Sequence, residues 1–179
     1  TGFEHQVAAH MMAEGMIDES MILTRKIHER YHASKRNPFN EIECSDHYAR
    51  AMASYGTFIN ACGFTYHGPK KQIGFHPKIN PENFKAAFTA ADGWGSYTQK
   101  ISSNNRLEAI IDLANGNLEI AELTLPNLKG STVKSKVTAK IGNKPLAIKN
   151  IENKKEGIKI VFDSPIVLSE NKELLISIS

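Results

Sequence analysis

Two short segments of the sequence contain residues that are typical of catalytic, metal-binding or ligand-binding sites. The first is His28-Glu29-Arg30-Tyr31-His32, in which the two histidines stand four positions apart. On a helix such a pair shares one face and can bind zinc, with the glutamate as a general base. A catalytic zinc needs a third protein ligand, and none stands out downstream. The segment therefore favours a solvated helix end, and we predict no metal and no cofactor.

The second stretch is a polar run over residues 37–50 that includes Glu41, Glu43, Asp46, His47 and Arg50. Acids near the first turn of a helix are common because they complement the helix dipole, which is the simpler interpretation. The functional interpretation starts from Arg50, which lies about 200° around the predicted helix from its apolar stripe and faces a side that we expect to be buried. A buried arginine needs a partner, and Glu41 or Glu43 could fold back to it. A carboxylate beside a guanidinium would bind sugar hydroxyls.

Helical periodicity dominates residues 1–64 and indicates the elements that position these candidates. Phe3, Val7 and Met11 predict a first helix that Gly15 ends, and a second helix follows over 16–31. Ser45 is a good N-cap for a third helix. The apolar stripe of that helix is Tyr48, Met52, Tyr55, Ile59 and Cys62, and its opposite face carries small residues such as Ala53 and Gly56. Small residues let another helix approach closely, so we expect a helical assembly larger than these three helices.

The apolar period changes to two after Gly63, which predicts strands. We predict them around Ile73, over 94–101, 107–113, 118–125, 133–141, 158–162 and 174–178. Turn signals such as Asn115-Gly116 and Gly142-Asn143 separate them. Short strands at this spacing predict an antiparallel β-sandwich or jelly roll over residues 65–179. The expected fold class is α+β, with residues 1–64 and 65–179 as two domains.

Composition and cysteine spacing exclude some classes of function. The chain has 179 residues and a net charge of +3, which is too weak to argue for nucleic acid. No apolar run reaches the roughly 18 residues of a membrane-spanning helix. If Cys44 and Cys62 lie at opposite ends of one helix, about 27 Å apart, they cannot form a disulfide. Free thiols leave the cellular compartment open.

Three segments resemble glycoside hydrolase family 116, which contains bacterial β-glucosidases and the non-lysosomal glucosylceramidase. They are TGFEHQVAAHM at 1–11, RNPFNEIECSDHYARAMASY at 36–55 and TAADGWGSYTQ at 89–99. The resemblance covers about residues 1–100. Phe39 and Ser45 depart from it, since the family usually has a tryptophan and a glycine there.

The resemblance implies a retaining β-glycosidase built on an (α/α)6 barrel. Its glutamate nucleophile and aspartate acid/base are expected upstream of residue 1, so no catalytic residue is assigned in this chain. Glu41 and Arg50, nine positions apart, match the family's substrate-binding pair. The chain starts without Met inside a predicted helix, so we expect the C-terminal portion of such an enzyme, inactive alone. Its partners would be a β-glucoside and the remainder of the catalytic domain.

An alternative is a non-enzymatic β-sandwich module that binds carbohydrate or a protein partner. Phe75, Phe88, Trp94 and Tyr97 could form an aromatic platform for a sugar. Aromatic side chains in a β-sandwich more often fill its core, which is the interpretation we favour.

Overall fold

The computed structural model describes the backbone of residues 1–41, 45–46, 50–128 and 136–179. Side chains are described over 1–40, 50–128 and 136–179. The chain divides into a helical unit, Thr1–Gly63, and a β unit, Phe64–Ser179, each described by itself below. The mixed α+β class is confirmed by this arrangement. That the helices belong to an (α/α)6 barrel, and that residues 1–64 and 65–179 are a barrel end and a sandwich domain, stays a prediction.

Three helices occupy the described part of the helical unit. They are α1 (Gly2–Glu14), α2 (Ile17–Arg30) and α3 (Ala51–Cys62). Gly15 ends α1 in the left-handed conformation at φ 86°, and its N–H bonds the carbonyls of Met11 and Met12. This is a conformation that glycine adopts without strain, so the predicted end of the first helix is confirmed.

The start of the third helix was predicted wrongly. Ser45 does not cap it, because Ser45–Asp46 forms a short strand, β2, that pairs antiparallel with β1, Asn40–Glu41. Ser45 is therefore paired with Glu41 in a strand, and this pairing overrides the local capping preference of serine. The helix begins at Ala51. Cys44 and Cys62 therefore do not lie on one helix, and the predicted distance between them loses its basis. Cys44 lies outside the described residues.

Small residues bring α1 and α3 together. A Cβ built on Gly56 would lie 3.3 Å from the Cβ of Ala9, and the Asn60 amide donates a 3.1 Å hydrogen bond to the Ala9 carbonyl. The large residues at the predicted stripe positions stay outside this contact: Met52 is 92% exposed and Phe3 81% exposed. Close backbone approach is available only at the small-residue face, so that face is the one α1 covers.

Helix α2 joins α1 through a buried hydrogen bond. The Ser20 hydroxyl donates to the Ala8 carbonyl at 2.7 Å, and Ser20 is fully buried. The buried apolar residues of the two helices include Ala8, Met12 and Ile27. No helix among the described residues is long and apolar enough to cross a membrane.

The β unit contains ten strands in its described residues. They are β3 (Thr65–His67), β4 (Gln72–Gly74), β5 (Asn83–Thr89), β6 (Gly93–Ile101), β7 (Leu107–Leu125), β8 (Val137–Ile141), β9 (Lys144–Pro145), β10 (Ile148–Lys154), β11 (Gly157–Ser169) and β12 (Lys172–Ile178). One 3-10 turn, Gly68–Lys70, connects β3 to β4. Strand pairing is antiparallel except between β4 and β7, which run parallel.

Strand β7 links two groups of strands. Its first half pairs with β6 and β12, and its second half pairs with β11 and β4. Two strands with a turn at Asn115-Gly116 were predicted here, and this prediction was wrong. Gly116 has φ 80°, and a Cβ on it would lie 2.1 Å from the Asp92 carbonyl oxygen. The turn signal therefore lies inside one long strand, next to a β-bulge between Leu113 and Asn115, and Gly116 passes another backbone too closely for a side chain.

One hydrophobic core serves both groups of strands. Strand β7 buries Leu107, Ala109, Ile111 and Leu113, then Leu118 and Ile120, then Leu123 and Leu125, so its alternation changes phase twice. Three of the four aromatic candidates lie in this core, as expected: Phe75 stacks on Tyr97 with ring centroids 4.0 Å apart, and Phe88 packs beside Phe75. Trp94 is 54% exposed instead.

A buried hydrogen-bond chain inside this core predicts the effect of Tyr97→Phe. The Tyr97 hydroxyl donates to Gln99 Oε1 at 2.6 Å, while Gln99 Nε2 donates to the Pro81 carbonyl at 2.7 Å. Phenylalanine would leave the buried Gln99 oxygen unsatisfied, so we expect the free energy of unfolding to fall by about 1–3 kcal/mol in urea denaturation. Tyr66→Phe is the control, because the Tyr66 hydroxyl makes no hydrogen bond to described residues. Equal losses in both variants would contradict the role of this chain.

The burial of Cys62 predicts low thiol reactivity. Desolvation raises the pKa of the Cys62 thiol to about 11, so the reactive thiolate is scarce at pH 8. In a Cys44→Ser variant, we expect an aromatic disulfide reagent to react slowly with the native chain and rapidly in urea. Rapid reaction of the folded chain would show that Cys62 is accessible.

Candidate functional site

Arg50 stands at the N-terminus of α3 in a conformation that few residues adopt. Its φ and ψ are 49° and 32°, in the left-handed region, and its side chain makes no capping hydrogen bond. The left-handed conformation costs an L-residue about 1–2 kcal/mol, and a positive charge at a helix N-terminus opposes the helix dipole. The local preferences of the backbone and of the helix both disfavour arginine at this position.

The Arg50 side chain lies beside Gly2, the first residue of α1. A Cβ built on Gly2 would be 3.5 Å from both Cδ and Nε of Arg50. The Arg50 side chain therefore lies beside the first residue of α1, at a distance where a Cβ on residue 2 would make an ordinary van der Waals contact. Since α1 and α3 approach closely at Ala9 and Gly56, the start of α3 is held beside the start of α1.

A pocket of about 550 Å³ opens at this place. It is lined by Gly2, Phe3, Gln6, Ala9, Arg50, Ala53 and Gly56. Its walls are mostly small and apolar, and its polar groups are the Arg50 guanidinium and the Gln6 amide. The exposed ring of Phe3 stands at the same pocket. We call this the Arg50 pocket.

The side chains that line the Arg50 pocket are suited to binding a ligand through hydrogen bonds. A guanidinium offers donors in a fixed plane, and a primary amide offers both a donor and an acceptor, so together they suit neighbouring hydroxyls. An aromatic ring can cover the apolar C–H face of a sugar ring. Gly2, Phe3 and Gln6 were predicted only as helix residues. Their signal in the sequence is the spacing of Gly2 and Gln6, which places both on one side of α1.

The second predicted binding residue, Glu41, is only partly located. Its backbone belongs to β1, and its register partner in β2 is Ser45. The side chain of Glu41 lies outside the described residues, as does Glu43. The predicted approach of Glu41 to Arg50 therefore stays a prediction.

The His28–His32 segment does not present two histidines on one helix. Helix α2 ends at Arg30, so His28 lies in its last turn and His32 lies beyond it, where its Nδ1 is 2.8 Å from the Ser34 hydroxyl. Hydrogen bonds from Lys26 and Arg25 lower the pKa of the Glu29 carboxyl. Among the residues with described positions, no group of three His, Cys, Asp or Glu could hold a metal.

An ion pair between Glu4 of α1 and Arg30 of α2 links these two helices. The Glu4 carboxylate accepts hydrogen bonds from both terminal nitrogens of Arg30, which lowers the pKa of Glu4. Both side chains are about two-fifths exposed, so the pair contributes little to stability. It connects α1 to the end of α2.

Comparison with known proteins gives only weak similarities. No family model and no curated protein matches the sequence. Two solved structures have weak similarity to the chain: a GH127 β-L-arabinofuranosidase from Geobacillus stearothermophilus T6, with a TM-score of 0.41 and 11% identity over 73% of this chain, and another GH127 β-arabinofuranosidase, with a TM-score of 0.40 and 8% identity over 80%. This chain covers 18% and 24% of their respective lengths.

These comparisons correct the family assignment. The resemblance to glycoside hydrolase family 116 is wrong as an identification, because no family model matches and the similar solved structures belong to GH127, a different glycoside hydrolase family. Glycoside hydrolases are the broader class to which both neighbours belong. β-Glucosidase and glucosylceramidase activity lose their support, since they rested on family 116 alone. The TM-scores are too low for either neighbour's activity to be transferred.

The left-handed conformation of Arg50 predicts an unusual order of stability among variants. Glycine adopts φ 49° freely, whereas alanine does not. We therefore expect Arg50→Gly to be about 1 kcal/mol more stable than Arg50→Ala in urea denaturation. The comparison isolates the backbone, because both variants lose the whole guanidinium side chain. The reverse order, which is usual at a helix interior, would place residue 50 in ordinary helical geometry.

Proposed function

We propose that this chain is part of a glycoside-processing protein and that the Arg50 pocket contacts the hydroxyls of a sugar. The observation that carries the proposal is Arg50 itself, held in a left-handed conformation at a helix N-terminus and packed on Gly2. Positions at which a sequence breaks several local rules together are often functional, because stability alone would favour another residue. Here glycine would suit the backbone and serine would suit the cap.

The lining of the Arg50 pocket supports a sugar rather than a purely apolar ligand. Gln6 and Arg50 supply planar hydrogen-bonding groups, and the exposed ring of Phe3 supplies an apolar face. A monosaccharide ring presents the same combination, with hydroxyls at its rim and C–H groups on its faces. The pocket volume of about 550 Å³ lies within the usual range of small-ligand sites.

Glu41 is proposed as the acceptor that completes the contact. Its strand, β1, lies in the segment that leads into α3, so the chain can return its side chain towards Arg50. A carboxylate beside a guanidinium would accept from one hydroxyl while the guanidinium donates to the next. In this proposal Glu41 and Arg50 bind substrate, and the pair of catalytic carboxyls of the glycosidase comes from another part of the protein.

The exposed apolar residues of the helical unit support a place among further helices. Met52 is 92% exposed, Ile22 61% and Tyr55 43%. Apolar side chains on several sides of three helices are typical of helices that pack against others. We propose that the unit forms part of a larger α/α assembly, with an (α/α)6 barrel as the architecture to test.

The experiment is a site-resolved binding measurement on the whole chain. Methyl β-glucoside, methyl β-xyloside and methyl β-L-arabinofuranoside are titrated while the backbone amide signals of Gly2, Gln6 and Ala53 are followed by NMR. We expect saturable shifts with at least one sugar, and at least about tenfold weaker binding in Arg50→Ala, because a hydrogen bond to a charged group contributes about 1.5–3 kcal/mol. Arg25→Ala is the control, since Arg25 is an exposed arginine on α2 that pairs with Glu29.

Three outcomes would overturn the proposal. One is the absence of saturable shifts at these amides with every sugar of the panel. The second is equal affinity of Arg50→Ala and Arg25→Ala. The third is saturable binding of inorganic phosphate in place of the sugars, which would assign the pocket to an anion at the start of two helices.

A further inference from the structure

A second polar cleft lies on the β unit, on the surface of β3, β4, β7 and β11. Its volume is about 300 Å³. It is lined by Thr65, Tyr66, His67, Gln72, Ile73, Glu122, Thr124, Lys154, Glu156, Gly157 and Lys159. We infer that this β-unit cleft binds a neutral polyhydroxylated ligand, of the size of one sugar ring. The inference is independent of the Arg50 pocket, because no residue is shared between the two sites.

Strand alternation places the polar side chains of the cleft on one face. Ile73, Leu123 and Ile160 are buried in the core. Their neighbours in sequence therefore point to the opposite face of the sheet. The register then sets Gln72 beside Glu122 across the parallel β4–β7 pair, and Thr124 beside Lys159 across β7–β11. Four hydrogen-bonding residues from three strands thus meet on one surface.

Glu122 organises the centre of the cleft. Its Oε2 accepts a hydrogen bond from Gln72 Nε2 at 2.7 Å and lies 2.6 Å from Lys159 Nζ. The side chains of Glu122 and Lys159 are only 24% and 22% exposed, less than those of the other ion pairs of the unit. Both contacts use the same carboxylate oxygen, so Oε1 can accept from a ligand hydroxyl. The Lys159 ammonium keeps further N–H groups to donate.

Two threonine hydroxyls stand beside this pair. Thr65 is the register partner of Gly74, and Gly74 is in turn the partner of Thr124. A Cβ built on Gly74 would lie 2.6 Å from the Thr65 hydroxyl oxygen, so Thr65 takes this position only because residue 74 has no side chain. Neither threonine hydroxyl bonds another described residue, which leaves both able to donate to and accept from a ligand.

The balance of charge selects a neutral ligand. Lys154 and Lys159 are matched by Glu122 and Glu156 among the lining residues. A cleft with equal numbers of ammonium and carboxylate groups gives no net attraction for an anion or a cation. His67 adds a donor in its neutral form, because its Nδ1 accepts from the Lys70 N–H at 3.3 Å and the ring proton then resides on Nε2. Paired hydroxyls, which both donate and accept, match this set of groups.

The test is an NMR titration of the whole chain with methyl β-glucoside and with myo-inositol, both uncharged polyols. Backbone amide shifts of Thr65, Gln72 and Thr124 report on the cleft. We expect saturable shifts at these amides with at least one polyol, and at least about fivefold weaker binding in Glu122→Gln, which removes the charge that orients Lys159 and Gln72. Acetate and inorganic phosphate are expected to give no saturable shift at the same amides.

Glu119→Gln is the matched control. Glu119 lies on the same strand and pairs with Lys71, but it does not line the cleft. If Glu122→Gln does not fold, Thr124→Val removes one lining hydroxyl at nearly constant volume and takes its place. The inference is overturned if no polyol produces saturable shifts, if the cleft variant binds as tightly as Glu119→Gln, or if a charged probe binds in place of the polyols.

The two proposed sites fail separately. Arg50→Ala is expected to leave polyol binding at the β-unit cleft unchanged, and Glu122→Gln is expected to leave the Arg50 pocket unchanged. Loss of signal at one set of amides alone therefore identifies which proposal is wrong.

Discussion

Backbone pairing along β7 is the interaction on which the β unit depends. This one strand hydrogen-bonds to β6 and β12 with its first half, and to β4 and β11 with its second half, so it holds both groups of strands over one core. The bulge between Leu113 and Asn115 lets the strand make its first change of phase without ending. Because every neighbour takes its register from β7, the polar faces of β4 and β11 meet at Glu122, and the β-unit cleft is a consequence of this pairing.

In the helical unit the corresponding constraint is the close approach of α1 and α3. Ala9 and Gly56 allow the two backbones to come together, and the start of α3 is thereby set beside Gly2. Arg50 is the residue at that junction. Its strained backbone and its charge are costs that the packing of the two helices must offset, and the same packing determines where its guanidinium lies. The two candidate binding sites thus arise from different physical causes, helix packing in one unit and strand register in the other.

Local sequence signals predicted a large part of the fold. Gly15 and Gly63 end helices in left-handed conformations, as glycine after an apolar helical stripe predicts. Strands β6, β11 and β12 follow the alternation of their residues. The wrong predictions at Ser45 and Asn115-Gly116 have a common cause. Serine does favour helix N-caps and Asn-Gly does favour turns, but pairing with neighbouring strands overrides both preferences here. Strands β3, β5, β9 and β10 were missed because most of their residues are exposed or half exposed and weakly patterned.

Residue types and near-neighbour spacing are enough to predict the α+β class, the change of apolar period after Gly63 and the choice of Arg50 as a candidate binding residue. The surroundings of Arg50, and the contacts of Gln72, Glu122 and Lys159 across three strands, arise when the chain folds. Their contacts depend on strand register, and register is set by long-range backbone pairing that no local pattern encodes. The resemblance to glycoside hydrolase family 116 rested on short sequence motifs, and it was corrected by the comparison with known proteins.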